Sequence, residues 1–543
     1  MPARPNILVI MTDEERYPPP YETEELRRFR RDQLPGQQAL RARGVEFHRH
    51  YAASVACAPS RACLFTGHYP TLHGVRATDG AAKSAHDPAM FWLDPDTVPT
   101  MGHYFRAAGY RTFYRGKWHI SHADLTSPDT RAPISTSDDQ GAPLEPNTSL
   151  YRAAERLDAY GFGGWIGPDP HGAARSNCGA LRDPLFGDQV EALLDQLDQP
   201  DQRDQTEAPW LAVASFVNPH DIVLFGALWR SWGYAFDDET VPEVPEPPTQ
   251  HESLRTKPSC QADFVEKYGK VFLPQPQIPI YRRFYYYLHK LVDLQVQRVL
   301  HRLRASRFWD NTIIVYTSDH GDMLGAHGGM HQKWHNAYDE SLRVPLMISG
   351  PGIPAGARVE HLSSHVDLLP TLLGLAGLNA AELADTLASR HTEAQPLVGR
   401  DLADLVRGGP ASDEPIYFMT EDEVSEGLDQ TTVIGRAYES VKEPAKVEAV
   451  LARLDAGAGP TLWKYTRAYR RSQIGDPTDA SFAAKWLPER DECELYDLDA
   501  DPLETHNLAH RGQGDRRSRA VEQQMEALLA AQRTRKALHP QLR

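Results

Sequence analysis

The chain repeats a pattern that few folds accommodate: short runs of apolar residues, each followed at once by groups able to bind ions or move protons. Asn6 to Met11 runs into Asp13-Glu14, Trp210 to Val217 into Asn218-Pro219-His220, and Thr312 to Tyr316 into Ser318-Asp319-His320-Gly321. An unbroken apolar run has no polar outer face, so it suits a strand covered on both sides, as in a parallel sheet between helices. In open α/β sheets, ligand-binding groups collect at the carboxyl ends of such strands. The pattern predicts an α/β fold with its chemistry along one edge of a large sheet. Turn-forming and helix-capping carboxylates also follow strands, so Asp13-Glu14 taken alone admits either reading, as does His220 as the cap of a turn.

Between the first two runs lies Cys57-Ala58-Pro59-Ser60-Arg61. Pro59-Ser60 can start and cap a helix running on to Phe65, which places Cys57 at its positive end. With Arg61 one turn away, the thiol pKa is expected to fall, as a reactive cysteine requires. The bland alternative is a small buried residue in a turn. Further on, Gly109 ends a helix over 100–108, Thr112 to Arg115 forms a strand, and Lys117 and His119 emerge beyond it, two residues apart on one side. Two such bases can hold an anion; solvated surface residues are the alternative.

The remaining pattern gives helices over 37–43, 183–197, 281–308 and 367–378, and a further strand over 344–349. Residues 122–180 and 237–279 lack periodicity and read as inserted loops that shape substrate access. After about residue 380 come short strands over 416–419, 432–434, 464–467 and 494–497, consistent with a small antiparallel sheet, then an amphipathic helix over 519–537. That helix packs on the sheet or forms a subunit contact, as in a homo-oligomer. At 543 residues the expected organisation is a catalytic domain over 1–380 and a smaller α+β unit over 381–543. The net charge of −16 argues against a nucleic-acid partner. Five scattered cysteines do not form a disulfide framework and suggest a reducing compartment. No apolar run reaches the length of a signal-peptide core or a membrane span, so a cytoplasmic protein without a membrane partner is expected.

The Cys-X-Pro-Ser-Arg segment resembles the signature of the type I, formylglycine-dependent sulfatases of the alkaline phosphatase superfamily, which includes arylsulfatases and phosphonate monoester hydrolases. The Gly116-Lys117-Trp118-His119 block, the Ser318-Asp319-His320-Gly321 block with Lys333 downstream, and Leu495 to Leu508 are similar to family segments, so the likeness spans the chain. It implies an alkaline-phosphatase-like fold: a large mixed, mostly parallel sheet flanked by helices, plus a smaller C-terminal antiparallel sheet with a packed helix.

By the same resemblance, Asp13, Glu14, Asp319 and His320 bind one divalent metal together with residue 57. Glu14 departs from the Asp or Gln of many relatives. Carboxylates suit calcium, while His320 leaves manganese open. Cys57 would be oxidised to formylglycine by a formylglycine-generating enzyme. One hydroxyl of the hydrated aldehyde attacks sulfur and displaces the alcohol; the other then loses its proton, so that C–O cleavage expels sulfate and restores the aldehyde. Arg61 steadies the diol, Lys117 and Lys333 bind the sulfate, His119 is the base that breaks down the covalent intermediate, and His220 or Lys333 protonates the leaving group. His327, His331 and His335 exceed the family's needs and read as packing residues or supports of the site. The implied activity is hydrolysis of a small-molecule sulfate monoester. Phosphonate monoester or phosphodiester hydrolysis at the same site is one alternative, and a silent metal-binding relative is another.

Overall fold

The computed structural model describes residues 4–541 apart from 81–82, 89, 171–173, 200–207, 226–235, 237, 272–278, 411–412, 428–429, 432–436, 458 and 471–491. Its strands are β1 (Asn6–Asp13), β2 (Gly44–Phe47), β3 (His50–Tyr51), β4 (Arg111–Gly116), β5 (Trp210–Pro219), β6 (Thr312–Ser318), β7 (Leu346–Ser349), β8 (Ala357–Val359), β9 (Ser363–Ser364), β10 (Ile416–Thr420), β11 (Lys446–Asp455), β12 (Pro460–Tyr469) and β13 (Cys493–Asp497). Seven form one sheet in the order β4-β5-β1-β6-β7-β2-β8. Within it only β7 runs against its neighbours. This is the mixed, mostly parallel α/β architecture expected.

The apolar runs have the expected cause. All eight residues of β1 are buried, and their side chains alternate between two cores. Ile7, Val9 and Met11 face a layer holding Phe65, Tyr104 and Leu372, contributed by helices Cys57–Thr66, Met101–Ala107 and Leu368–Leu375. Leu8 and Ile10 face Phe186, Leu194, Val292 and Val296 from helices Gly179–Asp198 and Pro279–Arg304. With helices on both faces, neither side of the strand can be polar.

The second sheet, β10-β11-β12-β13, is antiparallel. Tyr417, Met419, Val450, Trp463 and Leu495 on one face meet Val521, Met525 and Leu529 of helix Arg516–Lys536. Ile416, Phe418, Ala449 and Leu451 on the other face meet Phe264, Trp334 and Tyr338. The terminal helix thus packs on the sheet, and the sheet packs against the segment that carries Lys333.

Several local expectations need correction. Residues 122–180 are not all loop: helix Glu145–Ala154 lies within them, its buried side reduced to Thr148 and Tyr151, too few to show a period. Residues 237–279 likewise contain helix Ser259–Val271, anchored by Cys260, Phe264 and Tyr268 at every fourth position. Strand β11 was not foreseen, and the expected strand over 432–434 falls outside the described residues. Among the described residues no single helix is long and apolar enough to cross a membrane.

Candidate active site

Four parallel neighbours, β4, β5, β1 and β6, end along the same edge, and each delivers a candidate side chain there. Asp13 is the last residue of β1, Asp319 and His320 follow β6, Lys117 and His119 follow β4, and His220 opens the turn after β5. The edge is tightly built: Lys117 N donates to Ser215 O at 3.0 Å, and Gly116 has φ +98°. A Cβ at Gly116 would meet Ser215 O at 1.8 Å, so only glycine permits this approach.

Cys57 is the first residue of helix Cys57–Thr66, which projects it toward that edge. Its Sγ lies 3.2 Å from His320 Nε2 and 3.7 Å from Asp13 Oδ1. Contrary to the sequence expectation, Ser60 lies inside the helix and does not cap it; its hydroxyl donates to Asp319 O. The thiol pKa is also not depressed. Burial, followed by the Asp13 charge, pushes it up despite Lys333 and Lys117, because desolvating a thiolate outweighs one helix end. The site does not favour a free thiolate.

The candidate ligands do converge. Donor atoms of Asp13, Cys57, Asp319 and His320 lie within 4.8 Å of one another, and those of Asp13, Glu14 and His220 form an overlapping group within the same span. The ring Nδ1 of His320 faces Gly321 O at 3.0 Å, which places the proton there and leaves the Nε2 lone pair toward Cys57. Burial holds His320 down to about 4, so it is neutral and able to ligate. Both Glu14 carboxylate oxygens are buried without accepting a hydrogen bond, although Lys333 Nζ stands 3.2 Å from one of them. Burial, with Asp322 nearby, pushes the Glu14 carboxyl up despite Lys333. A buried carboxylate that accepts no hydrogen bond, beside three O/N donors, suits a hard divalent cation.

Arg61 binds this cluster together through the carboxylates of Asp13 and Asp319. Its Nε donates to Asp319 Oδ2 at 2.8 Å, one terminal nitrogen to Asp13 Oδ2 at 3.0 Å, and the other to Lys117 O at 2.8 Å and Ser215 Oγ at 3.0 Å. All three charged side chains are fully buried, so the pairing offsets a desolvation cost that none could bear alone. Lys117 Nζ adds a further contact to Asp13 Oδ2 at 2.6 Å. Burial works against both lysine charges, but Asp13 holds the Lys117 pKa up and Glu14 holds Lys333 up. Two buried cations therefore stand beside the cluster. His220 points at the same place, its pKa pushed down by burial and then by Lys117.

Glu14 and His119 have φ +70° and +55°, a strained region for residues with a Cβ. Hydrogen bonds hold both: Glu14 N donates to Asp319 Oδ1 at 3.0 Å, and His119 N to Asp169 Oδ2 at 3.0 Å. The three surplus histidines engage elsewhere. His327 stacks on Tyr338 at 3.6 Å between Glu252 and Glu340; His331 contacts Tyr281 Oη at 3.0 Å; His335 Nδ1 meets Ala445 O at 2.9 Å. Sequence reading missed Ser215, Asp79 and Asp169. Ser215 sits inside an apolar strand, and Asp79-Gly80 looks like any turn.

Residues 5–378 match the Sulfatase family model. The chain is 28% identical to the choline-sulfatase of Rhizobium meliloti (strain 1021), over 98% of this chain and 90% of that protein. It is 26% identical to the Delta 4,5-hexuronate-2-O-sulfatase of Bacteroides thetaiotaomicron, over 86% and 78%. A solved 2-O GAG sulfatase superposes with a TM-score of 0.63 at 23% identity, covering 98% of this chain and 92% of that one. The phosphonate monoester hydrolase of Silicibacter pomeroyi superposes at 0.59 and 21% identity, covering 98% and 96%. The chain belongs to the sulfatase family of the alkaline phosphatase superfamily and is a sulfuric ester hydrolase.

Proposed function

We propose that this sulfatase hydrolyses a small-molecule sulfate monoester to an alcohol and inorganic sulfate with a formylglycine made from Cys57 and one bound divalent metal. The observation that carries the reading is the buried convergence of Asp13, Cys57, Asp319 and His320 donor atoms within 4.8 Å. The Cys57 thiol occupies the place where the hydroxyls of hydrated formylglycine would stand. When bound, the metal would supply positive charge that acidifies the attacking hydroxyl and polarises the sulfuryl group. Asp13, Glu14, Asp319 and His320 would hold it, with calcium the reading from the carboxylates and manganese the alternative from His320.

The chain's own groups divide the remaining work. Arg61, tied to both Asp13 and Asp319, keeps the two carboxylates in one orientation. Lys117 and Lys333 hold the sulfuryl oxygens, where charge is retained through the transition state. His119 accepts the proton whose removal releases sulfate, and His220 or Lys333 returns a proton to the departing alkoxide. The named sulfatases to which the chain is similar act on unlike alcohols, from choline to hexuronate, so the alcohol is left as a small organic group. Five free, buried cysteines support a reducing, cytoplasmic setting, in which a formylglycine-generating enzyme acts on the chain as it matures.

The test is paired turnover of an aryl sulfate and an aryl phosphonate monoester by protein produced with the formylglycine-generating enzyme. A kcat/KM for the sulfate at least about tenfold higher supports the proposal. The reverse order favours the phosphonate reading, to which His320 gives its support.

A further inference from the structure

His119 is held from two loops, one at its ring and one at its backbone, neither of them part of the ligand cluster. Its Nε2 lies 2.6 Å from Asp79 Oδ1, with both side chains only 4% exposed. The backbone beneath it is fixed separately: the Asp169 carboxylate accepts from Trp118 N at 2.7 Å and from His119 N at 3.0 Å. Asp79 is itself anchored through its neighbours. Thr78 N donates to Asp422 Oδ2 at 3.3 Å, and Asp422 also accepts from Trp334 Nε1 at 2.9 Å, next to Lys333. Asp422 follows β10, so the C-terminal sheet reaches the loop that carries Asp79.

We propose that Asp79 is a positioning residue for the sulfatase reaction, orienting His119 and fixing its proton on Nε2 so that Nδ1 is the atom that accepts a proton. The proposal rests on the reading of His119 as the base. A carboxylate at hydrogen-bond distance from one ring nitrogen selects the tautomer with the proton between them, and its charge favours the imidazolium that forms when the other nitrogen takes a proton. With the backbone locked by Asp169 and the ring by Asp79, His119 needs little reorganisation during turnover. The strained φ of +55° at His119 is consistent with a residue held for geometry rather than for ease of folding.

The experiment compares wild type with Asp79→Ala, Asp79→Asn, Asp79→Glu, His119→Ala and the double variant Asp79→Ala/His119→Ala, all matched for metal and formylglycine content. General-base catalysis contributes roughly 10²–10⁴-fold. Asp79→Ala is expected to lower kcat on the order of 10²-fold with KM changed only a few-fold, and to move the acid limb of the kcat/KM profile to lower pH, because the imidazole loses a charge that made it more basic. Asp79→Glu restores part of the rate, and the double variant is no slower than His119→Ala. Asp79→Asn, which keeps the volume, serves if Asp79→Ala does not fold. If His119→Ala collapses while Asp79→Ala and Asp79→Asn match wild type, the inference about Asp79 falls and the base reading stands. If the Asp79 loss is equally large without His119, the role is only structural and the inference also falls. If His119→Ala keeps wild-type kcat, the base reading itself is wrong, and the inference falls with it.

Discussion

Arg61 and Asp319 form a fully buried pair, Nε to Oδ2 at 2.8 Å, across 258 residues of sequence. The contact joins the helix that presents Cys57 to the turn that presents His320, and the same guanidinium holds Asp13. The proposed nucleophile and the proposed metal ligands are thus tied by one guanidinium. Replacing Arg61 by Ala would leave two buried carboxylates without their partner. We expect a stability loss of about 3–5 kcal/mol and metal affinity lowered by roughly 10–100-fold, read by denaturant titration and by metal content after dialysis. Unchanged metal affinity would remove Arg61 from the site's construction.

Metal removal should act on both fold and rate. Chelation abolishes turnover and lowers the melting temperature, because a ligand that binds only the folded site stabilises it, and added calcium restores both. Activity that survives exhaustive chelation would contradict the metal assignment.

The leaving-group acid can be identified by the alcohol released. If His220 protonates the alkoxide, His220→Ala slows an alkyl sulfate by about 10²-fold or more but hardly slows p-nitrophenyl sulfate, whose leaving group needs no proton. An equal loss on both esters would assign His220 to sulfate binding and leave Lys333 as the acid.

His327 gives the fold a pH dependence. Burial alone would lower its pKa, but Glu252 and Glu340 outweigh burial and bring it up to about 9. A group raised in the folded state stabilises fully below its unfolded pKa, about 6.5, and that contribution is lost as pH rises from there through about 9. The stability of wild type should therefore fall across that window, and His327→Gln should flatten this part of the curve when unfolding is followed from pH 6 to 10. An identical slope in both proteins would mean that the pair with Glu252 does not form.

The strand ends were legible in the sequence because β1, β5 and β6 are covered on both faces, which forces unbroken apolar runs and makes Asp13, His220 and Asp319 conspicuous after them. β11 was not legible. It contains Lys446, Glu448 and Arg453, and buried Glu448 is satisfied by Arg533 at 2.8 Å and by Arg467 at 3.2 Å, partners that only the folded chain brings near. Helix Ser259–Val271 was hidden for a different reason: its buried apolar residues, at 260, 264 and 268, form too narrow a stripe for a period to show. The Cys57 environment was legible in position but not in charge balance, since burial depends on surrounding elements that a local motif does not contain. Asp79 lay beyond reach because its meaning comes from His119, 40 residues away.

The measurement closest to the central claim is peptide mass spectrometry across Cys57 on protein made with the formylglycine-generating enzyme, paired with the specific activity of the same samples. We predict that the thiol mass gives way to that of the aldehyde or its hydrate, and that activity rises in proportion to the converted fraction. Full sulfatase activity in protein whose Cys57 remains an unmodified thiol would contradict the account.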